Sequence, residues 1–576
     1  MKIRLGNTKH IIELLPSAYV ASGGEGSIYK INSSSVAKLY HDPDKKSFPI
    51  QKMKELSIIT NPQVVIPQEL IYDIKDGKSL GYTTKFVDKA DPLVKLFTRT
   101  FKDSKNVSFK MVNELVKQIQ LIVADIHSAK CLVVDLNELN ILVDISASTI
   151  IPWFIDVDSY CTPSFKATAV MDSIRDRKAS LIDKNKVLHY NPTIESDWFS
   201  FAVLAFNLYV NIHPYRGGHK DYKPNEKKRQ MDDGVSVFHS GVRVPPSVND
   251  FKVIPSRHLD WFKQIFLNND RSIPPLPDSS IPTMVPSQIV TTTISSTDKI
   301  IVNEIQTYGD NIIDVFYNMG LYYVATKTHF YVDNKEIGTH NAKRVLFCAA
   351  SDGTLITAQQ DNSDKIVFKE LTKSDSVGTA TSNNMFSRNN SIYTISRGKL
   401  VENSFTAFGN KIIHRINEIE NISVTSATMY DGCVVQDLLG KMYLTLPYKL
   451  GSCFSKHIPQ LDGYRVISAK SDKYVTVVLG EKKGQYDRFI IVFDKHYTKF
   501  DIRKVEDVSY DTINFAVMDN GLCALLASPT ELELFSTAFQ CEVLANPPFD
   551  STMKLIATPD GLFFIMNNSI HQIRKK

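Results

Sequence analysis

The sequence predicts two units of different class, an α+β domain followed by an all-β domain. Up to about residue 275, strand-like runs are interleaved with apolar residues at helical spacing. After about residue 295 the helical spacing vanishes, and short apolar runs recur between Asp-Gly, Asn-Gly and Asn-Asn turns. Between the two lies Arg271-Ser272-Ile273-Pro274-Pro275-Leu276-Pro277-Asp278-Ser279-Ser280-Ile281-Pro282, which has four prolines and no periodicity. It reads as a linker or wrapping segment. The expected domains are therefore 1–275, a linker over 276–294, and 295–576.

The elements of the first domain follow from local pattern. Gly23-Gly24-Glu25-Gly26 is a glycine turn leading into the strand Ser27–Ile31, and Val36–Tyr40 is the next strand. Ile50 to Leu56 is an amphipathic stretch. From Ser108 to Ile126, apolar residues at 109, 112, 115, 116, 119, 122, 123 and 126 mark one face of a helix of about five turns. Two strand-like runs, Ile141-Leu142-Val143 and Trp153-Phe154-Ile155, flank a hairpin. Asp197 to Val210 is nearly all apolar, the mark of a helix buried on most sides.

In the second domain seven units align, beginning near Ile313, Arg344, Asn384, Val424, Arg465, Ile513 and Lys554. Their mean spacing is roughly 40 residues, the period of four-stranded propeller blades. Two units are ragged, so six blades fit nearly as well as seven. A pair of β-sandwiches is the structural alternative. No WD dipeptide or kelch signature is present.

Composition excludes several classes. At 576 residues, 43% apolar and 22% charged, the chain matches globular proteins and not disordered ones. The net charge of +5, from 67 basic and 62 acidic residues, without an arginine-rich cluster, argues against a nucleic-acid binder. No apolar stretch reaches the ~18 residues of a membrane span. Met1 to Asn7 lacks the apolar core of a secretory signal. The seven cysteines are scattered, with no C-x-x-C pair, as expected of reduced thiols in a cytoplasmic protein.

Four sets of residues carry chemistry, and a fifth has a structural role. Gly24 and Gly26 begin a G-x-G-x-x-G-x-V pattern in which Tyr29 replaces the third glycine and Ile31 stands for the valine. Such a turn exposes backbone N–H groups to phosphates, and Ile31 would roof a nucleotide base. On the next strand, alternation puts Lys38 and Val36 on one face, with Lys38 aimed at the α- and β-phosphates and Val36 against the base. A buried lysine needs a carboxylate. Glu55 is the nearest helical candidate, and Glu69 is also available. In Asp135-Leu136-Asn137-Glu138-Leu139-Asn140, Asp135 can accept the proton of an attacking hydroxyl and Asn140 can hold Mg²⁺. Asp156 follows a strand as a magnesium ligand should, and Asp158 could share the metal or bind it instead. In Ser196-Asp197-Trp198, Asp197 is expected to cap its helix and to reach the backbone of the Asp135 loop.

In this order the motifs resemble the protein-kinase superfamily, in particular divergent kinase-like proteins of bacteria and their viruses with D-L-N-x-x-N and I-D-x-D-S. The resemblance covers about residues 15–270. It implies a bilobal kinase-like fold, with an N-lobe over about 1–88 and a C-lobe over about 89–275. It also implies ATP and Mg²⁺ as cofactors and a serine or threonine hydroxyl as acceptor, with the β-domain recruiting a protein partner. There are departures. H-R-D reads Val133-Val134-Asp135, D-F-G reads Asp156-Val157-Asp158, and Asn137 stands where a lysine or arginine often lies beside the transferred phosphate. These changes leave the base, both metal ligands and the phosphate lysine intact, the minimum set for phosphoryl transfer, while the missing H-R and Asn137 motivate the alternative of a pseudokinase or structural scaffold that binds nucleotide without turnover. Phosphorylation of a small molecule, or nucleotidyl transfer, is a third possibility.

Overall fold

The computed structural model describes residues 1–576 except 24, 147, 168–169, 183–187, 223–225, 246–247, 277–299, 374, 511, 529–530 and 546. Gly24 and almost all of the expected linker, 277–294, thus lie outside the described residues. The chain divides into two units. The first is Met1–Thr292 with Glu481–Tyr486 and Glu506–Thr512; the second is Thr293–Gly480, Asp487–Val505 and Ile513–Lys576. No sequence pattern announced the two short later segments of the first unit. Among the described residues no helix is long and apolar enough to cross a membrane, and all seven cysteines are free thiols.

The first unit is α+β. Strands β1 (Lys2–Leu5), β2 (Ile11–Glu13), β3 (Tyr19–Ser22), β4 (Gly26–Lys30), β5 (Ser35–Tyr40), β6 (Glu69–Asp73) and β7 (Ser79–Lys85) form an antiparallel sheet in the order β2-β1-β6-β7-β5-β4-β3. The β4–β5 turn is tightened by Asn32, whose Oδ1 accepts the Ser34 N–H at 2.8 Å. One face of β5 presents Ala37 and Leu39 to a core of Ile3, Leu14 and Ile71. Glycine is required where β5 meets its neighbours. A Cβ at Gly26 would stand 2.5 Å from the Leu39 carbonyl oxygen, and one at Gly81 1.9 Å from that of Lys38.

The α-helices among the described residues are α1 (Ile50–Leu56), α2 (Arg99–Ser104), α3 (Phe109–Ser128), α4 (Ile194–Val210), α5 (Lys227–Asp232) and α6 (Ser256–Phe266). Ser108 caps α3 by accepting the Met111 N–H, and the expected stripe from Val112 to Ile126 is buried. The short strand β8 (Asp91–Pro92) pairs with β9 (Ile141–Ile145), and β9 with β10 (Ile150–Phe154), which sets the hairpin beside the Asp135 loop. Helix α4 begins three residues before Asp197. Its cap is Thr193, in a reciprocal capping box with Ser196, and not Asp197 as expected. Asp197 therefore lies one turn inside the helix, and its carboxylate is free for another task.

The second unit is all-β and comprises seven four-stranded sheets among the described residues. Their first strands begin at Ile312, Arg344, Met385, Ala427, Arg465, Phe515 and Lys554, each within three residues of a start read from the sequence. Six sheets are built from consecutive strands. The seventh pairs Ile300–Thr307 with the final strand, Ser569–Lys575. Each sheet shares an apolar cluster with the next: Phe347 with Phe330, Met385 with Phe368, Val434 with Phe386, Phe489 with Leu444, Phe515 with Val477, and Leu555 with Ala524. Phe563 of the seventh packs with Val324 of the first, so the succession closes on itself. Truncating one such phenylalanine to alanine typically costs about 3–5 kcal/mol, and these contacts hold neighbouring sheets together.

Candidate functional site

Strand alternation buries Lys38 on the face of β5 that also carries Val36 and Tyr40. Its amine forms ion pairs with Asp156 and, at 2.8 Å, with Asp158 Oδ1. Burial alone would lower the pKa of this amine, but the two carboxylates outweigh burial and hold it above its usual value. Asp158 is enclosed. It also accepts the Tyr40 hydroxyl at 2.8 Å and the Tyr82 hydroxyl at 2.9 Å, and Lys46 stands 3.6 Å away. Its side chain is 1% exposed, against 38% for Asp156. Burial opposes the charge on Asp158, yet Lys38 and Lys46 pull its pKa below the usual carboxylate range. Asp156 is displaced upward, by burial and by the neighbouring Asp158 charge.

These contacts correct one expectation and give Asp158 a further role, as a partner of the lysine. Glu55 is not the lysine's partner: its carboxylate accepts the Ser164 N–H and the Gln51 amide, both at 3.1 Å. Glu69 is spent on the N–H groups of Asn7 and Thr8. The phase of α1 instead brings in Lys52, which donates to the Asp158 carbonyl at 2.7 Å. Sequence reasoning passed over Lys52 because it searched the helix for a carboxylate.

The glycine-loop register also differs. Ile31 packs with Ala37 and Leu39 on the face away from Lys38. Ile28 stands directly opposite Lys38, and Lys30 opposite Val36, so Ile28 shares the Lys38 face. Tyr29 is an ordinary strand residue, and counting it as a third glycine moved the motif three positions too far. Gly23 N–H donates to the Gly26 carbonyl at 2.9 Å, which closes the turn.

The Asp135 loop is held in a strained form. Val134 has φ 63°, a left-handed conformation that costs a β-branched residue about 1–3 kcal/mol. Asp197 maintains it. Its Oδ2 accepts the Val133 N–H at 2.7 Å and its Oδ1 the Val134 N–H at 2.9 Å, while His127 Nε2 lies 2.9 Å from Oδ2. Asn137 folds inward and accepts the Leu139 and Asn140 N–H groups at 2.8 and 3.0 Å. Asp135 then accepts the Met171 N–H at 2.8 Å and the Asn140 amide at 3.1 Å. Burial raises the Asp135 pKa in spite of these bonds.

Asn140 and Asp156 are brought together by the backbone, since the Ile155 N–H donates to the Asn140 carbonyl at 2.9 Å. Asp156 is itself left-handed at φ 63°. Because Asn140 turns its Nδ2 toward Asp135, its amide oxygen faces away from that bond. Among the described residues no three His, Cys, Asp or Glu side chains gather to hold a metal. A carboxylate and an amide oxygen still fit Mg²⁺, which takes one or two protein ligands and completes its shell with phosphate and water.

The segment after Met171 is braced by His213, whose Nε2 donates to the Ser173 carbonyl at 2.8 Å while Nδ1 accepts the Tyr215 N–H at 3.2 Å. Burial, then Arg216, pushes its pKa down to about 3. The unfolded chain takes up this proton below its ordinary value near 6.5, and the folded one does not. Stability is therefore full above pH 6.5 and falls as the pH drops from there toward 3. At pH 5 the loss is about 2 kcal/mol. Melting curves from pH 7 to 5 should show it, and His213→Gln should flatten the slope. An unchanged slope in that variant contradicts the assignment.

No family model matches the chain, and no curated protein matches it. Among solved structures it is similar to the PK-1 kinase of Cydia pomonella granulovirus, at 14% identity over 44% of this chain and 86% of that one, with a TM-score of 0.31. The residue geometry, and not this slight likeness, carries the reading that follows.

Proposed function

We propose that residues 1–275 form a protein-kinase-like domain that transfers the γ-phosphoryl group of ATP, with Mg²⁺, to a serine or threonine hydroxyl of a protein. The seven-sheet unit, in this reading, is a seven-bladed β-propeller that recruits that protein. One observation carries the proposal: a buried lysine is ion-paired to Asp156, and Asp156 is tied through Ile155 to the loop holding Asp135 and Asn140.

Lys38 binds the α- and β-phosphates, positioned by Asp158. Asp156 and Asn140 would hold the metal, which neutralises charge on the phosphate oxygens when bound. Asp135 orients the acceptor hydroxyl and takes its proton. The raised pKa of Asp135 makes it a better base and moves the acid limb of the activity profile upward, because only its ionised form can accept a proton.

Incubation with labelled ATP and Mg²⁺ tests this, with phosphoamino-acid analysis of the product. Asp135→Ala should lower incorporation by about 10²–10⁴-fold. Equal incorporation by both proteins removes Asp135 as the base. Label found only on small molecules would replace the protein substrate with a small alcohol.

One observation favours a second reading, nucleotide binding without turnover. Asn137 is spent on its own turn, so that position supplies no cation beside a transferred phosphate. A melting temperature raised by Mg-ATP, with no transfer, would support it.

A further inference from the structure

The second unit holds a cavity of about 380 Å³, where first strands from several sheets converge. Its volume lies within the range of about 300–1,000 Å³ typical of small-ligand sites. Its walls carry Asp314, Lys343, Arg344, Asp431 and Lys554. Arg344 and Lys554 are the first residues of their strands and Asp314 the third of its own, while Lys343 just precedes a strand and Asp431 just follows one.

The charges do not cancel in pairs. Lys554 and Asp314 are matched at 3.3 Å. Arg344 is different: its Nη1 donates to the amide oxygen of Asn384, a neutral group. Asn384 is fixed in turn, its Nδ2 donating to the Met429 carbonyl at 3.0 Å. Among the described residues no carboxylate comes within ion-pair distance of Arg344 or Lys343, both of which line the cavity. Beside Asp431, across an isolated bridge, Lys470 gives its amine to the Phe515 carbonyl at 2.9 Å. Setting aside the matched pair, two lining cations, Lys343 and Arg344, face one carboxylate, Asp431. Burial depresses the pKa of both the Arg344 guanidinium and the Lys470 amine, against the opposing pull of Asp431 and Asp314 on the first and of Asp431 and Asp472 on the second.

We propose that this cavity binds a phosphate dianion, free or as a small phosphomonoester, with Arg344 as its principal ligand and Lys343 and Lys554 adding charge. Arginine's planar fork suits two phosphate oxygens at once, and Asn384 anchors one of its arms. The excess positive charge matches a dianion better than a monocarboxylate. Asp431 repels the anion and so limits its affinity.

Titration calorimetry on the full chain tests this, with inorganic phosphate, glycerol phosphate and acetate as probes. Inorganic phosphate should bind and acetate should not. Glycerol phosphate binding more tightly than phosphate would identify the monoester as the source. Arg344→Ala should weaken phosphate at least tenfold, Arg344→Lys less, and Asp431→Asn should strengthen it. Melting curves and circular dichroism establish that each variant is folded; if Arg344→Ala is not, Arg344→Lys and Lys554→Met carry the test. No heat from phosphate with the wild type overturns the proposal. So does binding that survives Arg344→Ala but is lost in Lys38→Met, since that binding belongs to the first unit.

Discussion

Asp158→Asn should reduce phosphoryl transfer by about 10²–10³-fold, the scale for removing one preorganised electrostatic group, whereas Glu55→Gln should leave it within about threefold. The contrast follows from which carboxylate touches the lysine. Asp158 binds Lys38 at 2.8 Å and is closed in by Tyr40 and Tyr82, whereas Glu55 binds Ser164 and Gln51. Asparagine keeps the size of the side chain and an acceptor for the tyrosines, but removes the charge that holds the ammonium. The loss should fall on kcat/KM for Mg-ATP, with a melting temperature close to the wild type separating it from unfolding. Glu55→Gln as damaging as Asp158→Asn would return the lysine to a helix partner.

Asp197→Ala should be the most destabilising single change in the first unit. The carboxylate is 1% exposed and satisfies two backbone N–H groups, with His127 beside it. Alanine leaves both N–H groups buried without acceptors, at about 1–3 kcal/mol each. It also releases the left-handed Val134. We expect a loss of about 3–5 kcal/mol, read as a drop in melting temperature of about 10 °C. Asp197→Asn, which can still accept one of the bonds, should fall between. A melt unchanged by alanine would mean that the loop holds its own shape.

Both predictions bear on what the sequence disclosed. The Asp135–Asn140 spacing and the acidic turn after β10 were readable because loop chemistry is local: each residue's position follows from a few neighbours. The reach of Asp197 to the loop backbone was also readable, but its capping role was not. Thr193 took that role through a box with Ser196, a signal present in the sequence and overlooked. The partner of Lys38 was misread for a different reason. Which residue of a short helix faces inward depends on how the helix docks, and α1 docks with both Lys52 and Glu55 buried. Ile31 failed through a three-residue register error, an odd shift that puts a side chain on the other face. In the second unit the raggedness that left six or seven sheets open has a physical source. The seventh sheet draws one strand from the start of the unit and three from its end, so no single stretch of sequence contains it.

That shared sheet has a consequence during synthesis. Ile300–Thr307 emerges from the ribosome before the six other sheets, yet its partner is the strand Ser569–Lys575. Until then its edge is bare and its neighbours lack a closing wall, a state prone to wrong pairing between nascent chains. Ring closure must therefore follow translation of the whole unit, and a chaperone that shields strand edges should raise the yield of native protein.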